Sequence, residues 1–177
     1  MKKIKIGLFA LTGLGNNVID ALLLSNKIKI IFVSTRKEKG NFPYYKCENI
    51  VEKCNRKNIP IYFDLKKNIQ KIDICIVATY HLKIDVENND FKKGFNIHPS
   101  YLPDYKGKDP IKDVIKSRES ITGVTLHKLT NRFDEGQIYQ QKKIKISRKD
   151  NKASLLKKIN KYYFHFTNYI LENYKTL

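Results

Sequence analysis

The sequence predicts an α/β fold, a Rossmann-like and mostly parallel sheet with an antiparallel extension. Three observations carry this. Short β-branched apolar runs alternate with helix-periodic segments through the first two thirds of the chain. Several of these runs are apolar throughout, the pattern of parallel strands covered on both faces. After them, residues 123–129 and 138–146 alternate as half-covered strands do, with only a polar turn between them, and so pair antiparallel.

Each element follows in order. Residues 3–11 read as a buried first strand, and Thr12-Gly13-Leu14-Gly15-Asn16-Asn17 as a tight loop before a helix face of Val18, Ile19, Ala21, Leu22 and Leu23. A helix N-terminus after a glycine loop is suited to an anion. The loop lacks the third glycine of a dinucleotide fingerprint and the Lys-Ser/Thr of a phosphate loop, so a turn that needs glycines only for its backbone reads equally well. Ile28 to Ser34 is a second strand. Thr35 to Tyr44 is a polar loop with Gly40 and Pro43, expected to be a mobile flap near the strand ends. Residues 45–57 form a helix through Ile50, Val51 and Cys54, and residues 59–63 and 72–79 the next two strands. Tyr80, His81 and Leu82 stand just past the carboxyl end of the latter, where ligands of open α/β sheets gather.

The fifth strand covers about Gly94 to His98, within GFNIHPSYLPDYKG. Asn96 and His98 are two residues apart on it and point to the same face. Pro99 then stops the ladder, so an amide and an imidazole project together from a strand end. A helix from Lys108 to Ser117 follows, and Lys152 to Tyr174 is a long helix with Leu155, Leu156, Ile159, Tyr162, Tyr163, Phe166 and Ile170 against the sheet. His127 alternates with Val124 and Leu126, and both a cavity-lining and a packing role fit it.

With 177 residues the chain accommodates one well-buried domain and is short for two. No apolar run approaches the roughly 18–20 residues of a membrane span. The basic start reads as a strand because Lys5 interrupts its apolar core and no cleavage site follows, which places the protein in the cytoplasm. The formal charge of +18 raises nucleic acid as a partner without requiring it. All but five of the cations are lysines spread through every segment, whereas Arg is the commoner choice for base and phosphate contacts. Cys47, Cys54 and Cys75 make no metal-ligand pattern and read as buried reduced thiols, with Cys47 and Cys54 sharing a helix face. The sequence implies no metal and carries no sign of oligomeric state.

An Asn, a His and an Asp brought together suit proton transfer during attack by an external nucleophile. The His exchanges the proton, the Asp orients the imidazole or stabilises its cation, and the Asn donates to a developing oxyanion. Ser100 lacks the small-residue elbow of hydrolases, which makes transfer to an external nucleophile the more natural chemistry.

NIHPSYLPDYKG, followed by GVTLHKL and FDEGQI, closely resembles the folate-dependent formyltransferases: glycinamide ribonucleotide transformylase, methionyl-tRNA formyltransferase and the sugar N-formyltransferases. Their pattern is Asn-x-His-Pro-Ser-x-Leu-Pro-x-Tyr-(Arg/Lys)-Gly, then Gly-x-(Thr/Ser)-x-His, then an Asp-x-Gly turn. The opening glycine loop and Phe42-Pro43-Tyr44-Tyr45 extend the likeness. The resemblance implies a formyltransferase fold, a single catalytic domain over residues 1–177 without the C-terminal tRNA-binding barrel, and 10-formyltetrahydrofolate as co-substrate. It makes Asn96, His98 and Asp134 the catalytic residues and places the folate near Tyr80, His81, Leu82 and Phe133. It leaves Gly15, Asn16, Asn17, Lys106 and Lys108 as candidates for the acceptor, a primary amine on a small molecule such as an amino sugar nucleotide. Glycinamide ribonucleotide, methionyl-tRNA and a catalytically idle folate- or nucleic-acid-binding relative are the alternatives. Glu135 stands where the family often has Gly directly after the Asp, which bears on the shape of the folate wall.

Overall fold

β1 (Ile4–Ala10), β2 (Ile28–Thr35), β3 (Ile61–Phe63), β4 (Ile72–Ala78) and β5 (Phe91–His98) are laid side by side in the order β3-β2-β1-β4-β5, all parallel. β6 (Ile121–Lys128) and β7 (Ile138–Lys145) continue the sheet beyond β5, each antiparallel to its neighbour. The molecule is known from a computed structural model that describes residues 2–37, 45–65 and 71–177. The expected flap therefore falls largely, and Phe42, Pro43 and Tyr44 wholly, outside the described residues.

The helices are α1 (Leu14–Leu23), α2 (Ile50–Arg56), α3 (Pro110–Ser117) and α4 (Lys152–Asn173). The main core joins the faces of α1 and α4 to one side of the sheet through Leu8, Val18, Ile74, Ile97, Ile159 and Tyr163. A smaller cluster of Phe9, Phe32, Ile72, Cys75, Val77 and Ile84 covers the other side. β1 and β4 are therefore apolar on both faces, as their continuous runs require.

Two expectations are corrected. α1 begins at Leu14 rather than after Asn17, so Gly15, Asn16 and Asn17 belong to a helical turn. Gly13, at φ 98, makes the turn that admits the helix, and a Cβ on Gly15 would lie 2.6 Å from the Ala10 Cβ. These glycines serve a close strand–helix approach. The helix after β2 starts at Ile50, capped by the Asn49 side chain, so Cys47 is exposed and off the helix while Cys54 and Cys75 are buried. Among the described residues no helix is long and apolar enough to cross a membrane.

Candidate functional site

β5 ends where the sheet's parallel half meets its antiparallel half. Asn96 pairs in register with Val77 on one side and His127 on the other, and His98 with Thr125. Asn96, His98 and His127 consequently line one cleft, together with Asp134 from the turn between β6 and β7. Asp134 holds a left-handed φ of 54, and Gly136 two residues on passes so close to β6 that a Cβ would meet the Lys128 carbonyl oxygen at 1.8 Å. This crossing turns the Asp134 carboxylate back toward β5.

The carboxylate is the hub of the cluster. Its Oδ2 accepts from the Gly107 N–H at 2.8 Å and its Oδ1 from Asn96 Nδ2 at 3.1 Å. His98 Nδ1 lies 3.3 Å and His127 Nε2 3.4 Å from the same Oδ1. His98 donates its Nε2–H to the Tyr105 carbonyl at 2.9 Å, so in the neutral ring an Nδ1 lone pair faces the carboxylate. Uptake of one proton converts that contact into an ion pair. His127 donates Nδ1–H to the Lys128 carbonyl at 2.9 Å and accepts from Asn96 Nδ2 at 3.0 Å, so Asn96 has both amide protons engaged.

Burial sets the electrostatics. It pulls the His98 pKa down, against the Asp134 charge and the Tyr105 carbonyl, which push it up, and burial prevails. Burial also pulls the Asp134 carboxyl up. There the adjoining His127 and His98 imidazoles and the Gly107 N–H together outweigh it and hold the group below the usual carboxylate value. A weakly basic imidazole beside a firmly ionised carboxylate can pass a proton and stabilise negative charge.

The cleft encloses about 420 Å³. Tyr80, His81, Leu82 and Phe133 line it beside Val77, Ile84 and Leu129. The Tyr80 hydroxyl is occupied, donating to the Leu65 carbonyl at 3.1 Å and bonded to Ser34 Oγ at 2.8 Å. His81 Nε2 meets Asp64 Oδ1 at 2.8 Å. Tyr80 presents ring surface and main chain at the end of β4, where Thr79 takes the unusual φ of 60, and His81 keeps a buried Nδ1 that has no hydrogen-bond partner among the described residues. Lys108 lines the cleft, and Lys106 instead faces Glu135 at 3.5 Å, with Arg132 3.8 Å from the same carboxylate. Glu135 is thus drawn into surface ion pairs at the turn.

Gly15, Asn16 and Asn17 are not among the residues that line this cleft. Asn16 Nδ2 donates to the Glu48 carbonyl at 2.8 Å, and Asn17 Nδ2 to the Asn160 carbonyl at 2.9 Å, tying α1 to its neighbours. Sequence reasoning missed the contributions of Tyr105 and Gly107, which act through main-chain atoms and leave no side-chain signal. It also missed Arg36 and Lys152, which reach the cleft from the end of β2 and the first residue of α4. Among the described residues, no three His, Cys, Asp or Glu side chains are placed to hold a metal ion.

Comparison with known proteins bears on this geometry. The bifunctional polymyxin resistance protein ArnA of Wigglesworthia glossinidia brevipalpis is 36% identical over 162 residues, covering 87% of this chain and 23% of that protein. A methionyl-tRNA formyltransferase of Leptospira interrogans is 28% identical over 170 residues, covering 88% of this chain and 54% of that one. The chain therefore spans about a quarter to about half the length of these relatives. Among solved structures, the sugar 3N-formyl transferase WlaRD superposes with a TM-score of 0.80 at 25% identity, over 98% of this chain and 63% of that one. The phosphoribosylglycinamide formyltransferase of Streptococcus pneumoniae shares the fold at a TM-score of 0.72 and 20% identity, covering 99% of this chain and 100% of the other. Residues 14–165 match the formyl transferase family itself, a span that includes β5, the Asp134 turn and most of α4, and the chain belongs to that family.

Proposed function

We propose that this chain is a formyltransferase catalytic domain. It moves a formyl group from 10-formyltetrahydrofolate to a primary amine, and Asn96, His98 and Asp134 carry the transfer. The observation that supports this most is the convergence of Asn96 Nδ2 and His98 Nδ1 on one Asp134 oxygen, within 3.1 and 3.3 Å, in a cleft of small-molecule size.

The cleft suits a folate. Its apolar wall of Val77, Leu82, Ile84, Leu129 and Phe133 accommodates a flat ring system, and the main chain around Tyr80 to Leu82 supplies polar groups for the ring edge. The bound folate supplies the formyl carbon that the acceptor amine attacks. Asn96 then donates an N–H to the oxygen that becomes negative. It releases one of its two present bonds, to His127 Nε2 or to Asp134 Oδ1, to do so. Protonated His98 adds its charge beside the oxyanion, held by Asp134 and Tyr105. One proton leaves the amine and one is gained by the departing folate nitrogen, and His98 with Asp134 is the pair placed to relay it.

The acceptor we favour is an amino sugar nucleotide. WlaRD, a sugar 3N-formyl transferase solved in the presence of dTDP and 5-N-formyl-THF, superposes at a higher TM-score than the Streptococcus pneumoniae enzyme, 0.80 against 0.72. Lys108 brings positive charge to the part of the cleft built by residues 107–110, as a phosphorylated acceptor requires, while Lys152 beside it is ion-paired to Asp109 at 3.2 Å. Methionyl-tRNA is the second reading. A methionyl-tRNA formyltransferase of Coprothermobacter proteolyticus is 40% identical over 92 residues, 51% of this chain. Assay of formyl transfer to amino sugar nucleotides, glycinamide ribonucleotide and methionyl-tRNA tests the assignment. The highest kcat/KM is expected with a sugar nucleotide, and preference for methionyl-tRNA would overturn it. Folate binding with no transfer to any amine would leave an idle relative and sink the enzyme reading.

A further inference from the structure

Tyr163 lies in the middle of α4 with no solvent exposure, and its hydroxyl donates to the main-chain carbonyl of Ile97 at 2.9 Å. Ile97 is the residue between Asn96 and His98. Its side chain enters the main core while theirs enter the cleft. The ladder between β4 and β5 ends at the Ala78–Ile97 pair, and β5 itself ends at His98, before a proline that has no N–H to contribute. On its other edge β5 stays paired with β6 through Ile97–Leu126 and His98–Thr125, so the bond from α4 falls where the ladder runs out on the β4 side alone.

Packing alone does not require this hydroxyl. Phe166, less than one turn further along α4, is buried as a plain phenyl ring, whereas a buried hydroxyl is costly unless it finds a partner. The helix that presents Tyr163 is itself held. Asn17 Nδ2 donates to the Asn160 carbonyl at 2.9 Å, three residues before Tyr163, which fixes α4 against α1. A continuous path thus runs from α1 through α4 to the peptide between Ile97 and His98.

We propose that Tyr163 is a positioning residue, its hydroxyl fixing the end of β5 and with it the directions in which Asn96 and His98 enter the cleft. This rests on the transfer role proposed above for those two residues. His98 meets Tyr105 at 2.9 Å and Asp134 at 3.3 Å, contacts that a small rotation of the strand end breaks. Misplacement of reacting groups by about 1 Å costs on the order of 100-fold in rate, and partial loosening correspondingly less.

The test is Tyr163→Phe, which keeps the ring, with Phe166→Leu as a packing control on the same helix. Three readouts are taken: kcat and KM for formyl transfer, the His98 ring titration by NMR, and the Tm. Tyr163→Phe is expected to lower kcat about tenfold with KM for the folate within twofold. It should also move the His98 titration toward that of an unburied histidine, and Phe166→Leu should leave both unchanged. A lower Tm with unchanged kcat and unchanged titration would show a hydroxyl that only satisfies a carbonyl, and would overturn the proposal. An equal fall in kcat for both variants would assign the effect to helix packing and overturn it too. If the wild-type protein transfers no formyl group, the proposed function fails by itself. The His98 titration then decides the Tyr163 contact, and an unmoved curve overturns it.

Discussion

Replacing Asp134 by Asn isolates the contribution of one charge. Asn tolerates the left-handed backbone held at φ 54, so the turn survives and only the donor–acceptor pattern changes. The wild-type carboxylate faces donors or potential donors on both oxygens: Gly107 N–H at 2.8 Å on one, Asn96, His98 and His127 at 3.1 to 3.4 Å on the other. An amide has one oxygen. If its NH₂ takes the Gly107 side, two N–H groups confront each other. If it takes the other side, it opposes the Asn96 amide, donates at best to the Nδ1 lone pair of neutral His98, and leaves protonated His98 without an anion. Losing a hydrogen bond to a charged group costs about 1.5–3 kcal/mol. Relief from burying the charge offsets part of this, leaving a net loss of about 1–2 kcal/mol and a Tm lower by several degrees. The effect on rate is larger, because protonated His98 loses its counter-charge, and a fall in kcat on the order of 10²–10⁴-fold is expected. Rapid-quench measurement of formyl transfer at saturating folate, beside a thermal melt, reads both. A variant that keeps its rate within threefold of wild type would refute the assignment of Asp134 as the hub of the cluster.

Two further outcomes follow from the geometry. Gly136→Ala forces a methyl group to within 1.8 Å of the Lys128 carbonyl oxygen, a backbone atom that cannot rotate away, and should lower stability by about 3 kcal/mol in urea denaturation. A loss below about 1 kcal/mol contradicts the close crossing that aims Asp134. Folding stability should also depend on pH through His98. Its pKa is lower in the folded protein, so between the folded value and the unfolded value of about 6.5 the unfolded chain binds more protons. The stabilisation from a neutral His98 is therefore complete above about pH 6.5 and is lost as pH falls through the folded pKa. His98→Gln should flatten that part of the pH–stability curve, and an unaltered slope removes His98 as its source.

Much of this was legible in the residues. The apolar runs of β1, β2 and β4 announce parallel strands because those strands are covered on both faces, and Asn96 and His98 share a face because strand geometry leaves no alternative. Three features depend on contacts that a local reading does not supply. The start of α1 was obscured by Gly13 and Gly15, which resemble loop residues but are explained by a positive φ and by contact with Ala10. The alternation around His127 fits both packing and the cleft, because only the β5–β6 register, which sets it opposite Asn96, decides the matter. The spacing of Cys47 from Cys54 points to a shared helix face, whereas the Asn49 cap starts the helix after Cys47. Local chemistry was readable, and what crosses between elements was not.

The most direct test of the central claim follows the formyl carbon itself. Labelled 10-formyltetrahydrofolate is incubated with the protein and an amino sugar nucleotide, and the label is traced alongside release of tetrahydrofolate. The account predicts one labelled formamide per tetrahydrofolate formed, with the rate reduced on the order of 100-fold or more in His98→Ala while that variant still binds the folate. Transfer at an undiminished rate in folded His98→Ala, or label that never reaches an amine, would contradict it.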